Sequence, residues 1–177
     1  MKLIVIDMQK ALMDDELYDL SGLLGNVEKL IAAARENRVE VIYVQHDAGP
    51  GTGFSVGDEA FEIADEVAPA EGEKVFVKTI NSCFGNRDFA AYLEQARDEA
   101  LMIVGLQTNF CIDATVKSAF ERGYDVIVPE GAHSTFDNPY MSGETTCAYY
   151  FNEVWPGLFA DCVSMDEALA LLKGQES

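Results

Sequence analysis

One cysteine lies where a predicted strand turns into a predicted helix. Apolar residues 100–104 precede the turn that contains Cys111, and a helical pattern covers residues 112–122. A thiol at such a junction lies near free backbone N–H groups and the positive end of the helix dipole, and both favour the thiolate. We therefore predict that Cys111 is ionised at neutral pH and attacks a carbonyl carbon.

Two charged residues that end other predicted strands can act on this thiol. Asp7 closes the apolar run 2–6, and Lys78 closes the run 74–77. A carboxylate at a buried strand end is desolvated, which raises its pKa and makes it a better base. A lysine ammonium would stabilise the thiolate and balance the charge of the carboxylate. Each residue alone also has a structural explanation: an ion pair for Asp7, an ammonium reaching water for Lys78, and apolar packing for the cysteine.

The remaining cysteines and the two histidines leave other roles open. The other cysteines show no CxxC spacing, and core packing is the simplest role for Cys83, Cys147 and Cys162. His46 and His133 each lie just beyond a strand end, so either can pair with the nucleophilic cysteine.

The segment after the second predicted strand suggests two further kinds of site. Asp47 beside His46 resembles part of a metal site, but metal binding needs three or four converging ligands, and we predict none. The glycines of residues 49–53 resemble a phosphate-binding loop, but the GK[ST] ending and the GxGxxG spacing are missing. We interpret this segment as a mobile loop over the site.

The elements that must position these residues alternate along the chain. Strands are predicted over residues 2–6, 39–44, 74–77, 100–104, 125–128 and 161–163. Helices are predicted over residues 22–37, 58–66, 88–96, 112–122, 143–153 and 165–173, and residues 174–177 are expected to fray. This alternation indicates a parallel sheet with helices on both faces, in which ligands bind beyond the carboxyl ends of the strands. The side chains at that edge are Asp7, Asp47, Lys78 and Cys111.

Length, charge and composition narrow the class of protein. The chain has 177 residues, of which 49% are hydrophobic, and suits a single domain over residues 1–177. A formal net charge of −19 argues against nucleic acid or an anionic membrane as a partner. No apolar run approaches the roughly 20 residues of a membrane span. Residues 1–9 lack the pattern of a signal peptide, so we expect a cytoplasmic protein with reduced thiols.

Several short motifs, each present once, follow one another over most of the chain. They are VIDMQ at 5–9, VKT at 77–79 with SCF at 82–84, VGLQTNFCI at 104–112, and AT at 114–115 with GYDV at 123–126. In this order they resemble the isochorismatase-like cysteine hydrolase superfamily, which includes nicotinamidases and related amidohydrolases. The resemblance implies a Rossmann-like, three-layer α/β/α fold with a six-stranded parallel sheet. It also implies a catalytic triad formed by Asp7, Lys78 and Cys111.

The same resemblance implies further details of the site. The peptide bond before Gln107 would be cis, and the backbone N–H groups of Gln107 and Cys111 would form an oxyanion hole. The residues expected to contact the substrate are Gln9, Phe84 and Phe110. Neither a cofactor nor a metal is implied, because the Asp-x-His zinc motif of nicotinamidases reads Asp-Ala-Gly at residues 47–49.

These features together predict a cysteine hydrolase that cleaves a C–N bond of a small amide through a thioester. The vinyl-ether hydrolysis of true isochorismatases is not expected, because those enzymes lack the cysteine nucleophile. The family also implies a homo-oligomer, either a dimer or a tetramer, and specificity is expected to lie in loops 48–58 and 134–143. Two alternatives are a non-catalytic small-molecule-binding protein on the same fold and a flavodoxin-like nucleotide or flavin binder.

Overall fold

A computed structural model describes residues 1–95 and 97–174, and in them a parallel sheet is covered by helices on both faces. Its strands are β1 (Lys2–Ile6), β2 (Glu40–His46), β3 (Lys74–Lys78), β4 (Leu101–Leu106), β5 (Val126–Pro129), β6 (His133–Ser134) and β7 (Asp161–Val163). Its α-helices are α1 (Leu20–Glu36), α2 (Arg87–Glu94), α3 (Asp113–Glu121), α4 (Gly143–Tyr149) and α5 (Met165–Leu172). The strand order is β3-β2-β1-β4-β5-β7, and β6 pairs with β4. The predicted three-layer α/β/α fold is therefore confirmed.

The central strand β1 shows why the sheet needs an uninterrupted apolar sequence. Leu3 and Val5 pack on one face of the sheet, in the same core as residues of α1 and α5. Ile4 and Ile6 point to the opposite face and share a core with residues of α2 and α3. Because the successive side chains from Leu3 to Ile6 alternate between two buried faces, none of these four positions is left for a polar residue.

The helix predicted over residues 58–66 is wrong. This segment forms two separate 3-10 turns, Glu59–Phe61 and Asp65–Val67. Between them Ile63 makes an antiparallel bridge with Gln9, and the N–H of Ala64 donates to the carbonyl oxygen of Met8. Pairing with the segment that follows β1 therefore keeps the residues between the turns extended and interrupts the helix.

Other boundaries differ because parts of the chain adopt less regular turns. The helices predicted over 112–122 and 143–153 are each joined to a π-helical turn, Thr108–Ile112 before α3 and Tyr150–Val154 after α4. The two-residue strand β6 is too short to give a recognisable sequence pattern. Ala96, the last residue of the predicted helix 88–96, lies outside the described residues, as do positions 175–177 of the end predicted to fray.

Among residues 1–95 and 97–174, no helix combines the length and the apolar character that a bilayer crossing requires.

Gly105 marks a close approach between the two central strands, β4 and β1. Its φ is +116°, and a Cβ at this position would lie 2.0 Å from the carbonyl oxygen of Ile6. We expect Gly105→Ala to lower the free energy of unfolding by about 4 kcal/mol or more, because neither buried strand can move aside. Chemical denaturation measures this loss.

Gly25→Ala is the matched control for that substitution. Gly25 lies in α1, and a Cβ there would meet nothing within 4 Å. This variant should be as stable as the wild type or more stable by up to about 1 kcal/mol, because alanine favours the helix. Equal stability of the Gly25 and Gly105 variants would contradict the proposed crowding at Gly105.

Candidate active site

Four neighbouring strands bring the candidate residues to one edge of the sheet. Lys78 is the last residue of β3, and His46 is the last residue of β2. Asp7 follows β1, and Cys111 lies in the π-helical turn after β4. Because these strands are adjacent in the order β3-β2-β1-β4, residues far apart in sequence meet above their carboxyl ends. The structure therefore brings together all three residues of the predicted triad.

Lys78 is the centre of this arrangement. Its Nζ lies 2.8 Å from Asp7 Oδ2, 3.1 Å from Cys111 Sγ and 3.2 Å from His46 Nδ1. These three contacts match the three N–H donors of an ammonium group. Burial opposes the positive charge, but the neighbouring acidic groups, the carboxylate of Asp7 above all, outweigh burial and raise the pKa of Lys78. Lys78 therefore stays protonated.

Asp7 offers a proton acceptor next to this ammonium. The residue has φ +52°, which is uncommon for a residue other than glycine, directly at the end of β1. Its Oδ2 accepts the hydrogen bond from Lys78, whereas Oδ1 has no hydrogen-bond partner within the described parts of the chain. Burial raises the pKa of Asp7, and Lys78 offsets this effect only in part. Oδ1 is thus positioned to act as a base.

The thiol of Cys111 does not have the properties predicted from sequence. Burial raises its pKa to about 12, and the carboxylate of Asp7 adds to this effect while Lys78 opposes it. The prediction of a thiolate at neutral pH is therefore wrong for the resting protein. The reason is that Cys111 lies inside the π-helical turn, largely buried beside a carboxylate, and not at an open helix start. Ionisation of the sulfur must then accompany proton transfer to Asp7.

The resting protonation of Cys111 can be measured directly. The ultraviolet absorbance of thiolates is measured against pH for the wild-type protein and for Cys111→Ala, and the difference between the two curves reports Cys111 alone. An ordinary cysteine has a pKa of about 8.5, and we expect no ionisation of Cys111 below that pH. An ionisation well below neutral pH that Cys111→Ala abolishes would contradict this assignment. Cys83→Ala is the control, because burial also raises the pKa of Cys83 and its removal should leave the difference spectrum unchanged.

A small cavity lies above the sulfur. Its volume is about 170 Å³, and its walls are formed by Asp7, Leu12, His46, Phe54, Asn81, Gln107, Phe110 and Cys111. The peptide bond between Leu106 and Gln107 is cis, as the family resemblance implied. Phe110 and Gln107 thus lie where a molecule in contact with the sulfur would meet them.

Two residues predicted to contact the substrate lie outside the cavity wall. The side chain of Gln9 donates to the carbonyl oxygens of His46 and Phe61, and its Oε1 accepts from the N–H of His46. Gln9 therefore fixes the end of β2 and positions His46. Phe84 packs edge-on against Phe89, with ring centroids 5.4 Å apart, in the core beneath the site.

Three cavity residues were not singled out from sequence: Leu12, Phe54 and Asn81. Phe54 lies in loop 48–58, which was expected to control specificity, and its ring lies 6.1 Å from that of His46. Leu12 and Asn81 lie in the segments that follow Asp7 and Lys78. The second loop expected to control specificity, 134–143, contributes no residue to the wall.

The structure separates the candidates that the sequence left open. His46 lines the cavity, whereas His133 is buried, with its Nδ1 2.9 Å from Thr108 Oγ1. The Asp47 carboxylate accepts a hydrogen bond from the N–H of Gly49 and stabilises the turn there. Only His46 therefore lies beside the triad.

Three side chains of the site also lie close enough together to bind a metal ion. A carboxylate oxygen of Asp7, a ring nitrogen of His46 and Cys111 Sγ lie within 4.8 Å of one another. However, the ammonium of Lys78 contacts all three residues, so the position between them is already occupied by a positive charge. We infer that these groups hold the lysine and not a metal ion.

Comparison with known proteins places the chain in a family. Residues 2–155 match the Isochorismatase domain. Streptothricin hydrolase of Streptomyces noursei is 30% identical over 139 residues, which are 77% of this chain and 50% of that protein, so this chain spans half its length. Ureidoacrylate amidohydrolase of Agrobacterium fabrum strain C58 is 28% identical over 167 residues, and the match covers 73% of each protein.

A solved structure shares the fold over nearly the whole chain. The crystal structure of a cysteine hydrolase from Pseudomonas syringae pv. phaseolicola 1448A superposes with a TM-score of 0.88 at 22% identity. The superposition covers 98% of this chain and 92% of that one.

Proposed function

The chain belongs to the isochorismatase family of hydrolases, and we propose that it cleaves a C–N bond of a small amide through a thioester on Cys111. The observation that carries this proposal is the buried contact of one ammonium, Lys78, with both a carboxylate and a thiol at the wall of a cavity. A nucleophile and a proton acceptor held beside one cavity are the groups that acyl transfer requires. Relatives named as hydrolases and amidohydrolases agree with this chemistry.

In the first half of the proposed reaction, Cys111 becomes acylated. Asp7 Oδ1 accepts the proton of the thiol while the sulfur forms a bond to the amide carbonyl carbon. The carbonyl oxygen becomes negative, and the backbone N–H groups of Gln107 and Cys111 stabilise it; one such donor typically contributes about 2.7–4 kcal/mol. Asp7 then gives its proton to the amide nitrogen, the C–N bond breaks, and the amine leaves.

In the second half, water releases the acyl group. The oxygen of a water molecule attacks the thioester carbon while Asp7 takes a proton from that water molecule. The C–S bond breaks, the sulfur takes the proton back from Asp7, and a carboxylic acid leaves. Lys78 stays an ammonium throughout and balances the negative charge as it moves between the carboxylate and the sulfur.

A panel of small primary amides, ureides and lactams tests the proposal. Ammonia release is measured for the amides and ureides, and the newly formed amine is measured for the lactams. We expect turnover of at least one compound by the wild-type protein and none by Cys111→Ala prepared in the same way. A panel on which the wild-type protein shows no turnover, or on which both proteins are equally active, would contradict the proposal.

The size of the cavity argues against a flavin or nucleotide binder, and the environment of Asp7 argues against a non-catalytic binding protein. A volume of about 170 Å³ lies below the roughly 300–1,000 Å³ of pockets that hold drug-sized ligands, so a flavin or nucleotide does not fit in it. A non-catalytic binding protein would gain nothing from an unpaired buried oxygen on Asp7, since such a group costs stability. Bound flavin in the purified protein, visible as yellow colour, would favour the flavodoxin-like alternative.

We further propose that the protein acts in the cytoplasm as a homo-oligomer, either a dimer or a tetramer. Its four cysteines are free, as expected in a reducing compartment. Large exposed side chains such as Phe120, Tyr149 and Leu158 can supply an apolar contact between copies. Light scattering during size-exclusion chromatography determines the oligomeric state, and a monomer at all concentrations would contradict this part of the proposal.

A further inference from the structure

The charges around the cavity limit the compounds that it can bind. We propose that the cavity above Cys111 accepts acyl groups that are neutral or positively charged and excludes those that carry a carboxylate. This inference rests on the proposed amide hydrolysis and names the substrate class of the same site.

Lys78 cannot serve as the binding partner of a substrate anion. Its side chain is 0% exposed, and its three contacts with Asp7, His46 and Cys111 use all three N–H donors. If one of these donors turned to a substrate carboxylate, a buried partner would lose its hydrogen bond. The cation of the site is therefore fully used by the protein itself.

The wall of the cavity offers no other positive charge. All of its lining residues lie in the described part of the chain, and none of them is a lysine or an arginine. Burial lowers the pKa of His46, and the charge of Lys78 lowers it further. Since Nδ1 of His46 accepts the hydrogen bond from Lys78, the ring is neutral and carries its proton on Nε2.

The lysine nearest in sequence to the wall is also paired elsewhere. Lys10 lies in the same short turn as Leu12, but its ammonium is 2.8 Å from Glu62 and 3.5 Å from Asp65. It already has two carboxylate partners and is not available to a third.

A carboxylate in the cavity would therefore lose water without gaining a cation, and it would face the carboxylate of Asp7. Unpaired buried charges and like-charge contacts are both strongly unfavourable. A neutral acyl group avoids both effects and can pack against Leu12, Phe54 and Phe110. An ammonium group would in addition be attracted by Asp7 and by the faces of the two aromatic rings.

Alkylation of Cys111 by iodoacetamide and by iodoacetate tests the charge preference without any turnover. The two reagents attack the same sulfur and are similar in size, but only iodoacetate is negatively charged. Mass spectrometry of the Cys111 peptide gives the alkylation rate for each reagent. Each rate is then divided by the rate at which the same reagent alkylates glutathione. Cys162, which is partly exposed and lies beside Asp161, reports in the same digest how far negative charge outside the cavity repels iodoacetate.

We expect the normalised preference for iodoacetamide to be on the order of 100-fold larger at Cys111 than at Cys162. Equal preferences at the two cysteines would overturn the proposal. Because alkylation needs no amide substrate, the result of the alkylation assay is independent of the result of the ammonia-release assay. A failure of either test therefore shows which of the two proposals is wrong.

A cation placed in the wall should weaken the preference for iodoacetamide. Leu12→Arg introduces a guanidinium at a residue outside the proposed triad, and Leu12→Gln is the neutral control of similar length. We expect Leu12→Arg to raise the rate of iodoacetate at Cys111 by about tenfold or more relative to Leu12→Gln. Equal rates in two folded variants would also overturn the proposal, and the wild-type comparison tests it if Leu12→Arg does not fold.

Discussion

The Cys111→Ala protein should fold normally and lose nearly all of its hydrolysis of the identified amide. The expected loss in kcat is about a million-fold, as for other enzymes that lose a covalent nucleophile. Neither remaining catalytic group can replace the sulfur, because Asp7 is needed as the proton acceptor and Lys78 is a protonated cation. Stability should change by less than about 1 kcal/mol, since the substitution removes one atom from a cavity wall. Ammonia release and chemical denaturation measure the two effects.

Cys83→Ala is the matched control for this substitution. Cys83 is completely buried in the core and does not line the cavity, although its backbone N–H binds Thr115 close to the site. We expect this variant to retain kcat within about a factor of three and to lose on the order of 1 kcal/mol of stability. If Cys83→Ala abolished activity and Cys111→Ala kept it, the assignment of the nucleophile would be wrong.

Asp7→Asn should abolish amide hydrolysis while making the thiol of Cys111 more reactive. Asparagine keeps the shape of the side chain but cannot accept the thiol proton, so we expect a loss in kcat of about ten-thousand-fold. The same change removes the negative charge that raises the pKa of Cys111, and its pKa should fall. Iodoacetamide should then label Cys111 faster than in the wild-type protein at neutral pH.

These opposite changes separate a base from a merely structural residue. If Asp7 only maintained the fold of the site, hydrolysis and labelling would decline together. Asp47→Asn is the control, because Asp47 lies near the same edge of the sheet but binds Gly49 and does not line the cavity. It should leave both rates within about a factor of two of the wild-type values.

The meeting of the three candidate side chains was predictable because strand ends can be read from sequence. A continuous apolar run identifies a strand buried on both faces, and parallel strands share one carboxyl edge. Asp7 and Cys111 follow two such runs, whereas Lys78 ends β3, an edge strand whose first residues are exposed. Their meeting at the shared edge required no knowledge of the register between strands. The contact between His46 and Lys78 does depend on register, because the two residues are opposite one another in the β2–β3 pair.

The walls of the cavity were much harder to predict. Leu12, Phe54 and Asn81 come from three separate irregular segments, and no periodic pattern marks which side chain turns inward. Gln9 illustrates the opposite error, since this polar residue close to Asp7 is used entirely to hold the backbone beyond β1 and β2. Loop conformation decides both cases, and it is set by tertiary contacts.

The protonation state of Cys111 depends on the same tertiary contacts. The strand–turn–helix pattern indicates a helix dipole that favours the thiolate, an effect of about 0.3–1 kcal/mol at exposed sites. Burial and the carboxylate of Asp7 act in the opposite direction and prevail. Sequence showed that the two groups would meet, but the burial that keeps the proton on sulfur was visible only in the folded structure.

Trapping the acyl-enzyme tests the central claim most directly. The wild-type protein would be quenched with acid during turnover of an amide identified in the panel, digested, and analysed by mass spectrometry. We predict an acyl group on the Cys111 peptide that hydroxylamine removes and that does not form on the three other cysteines. Steady turnover with no acyl group on Cys111, together with an active Cys111→Ala protein, would contradict the account.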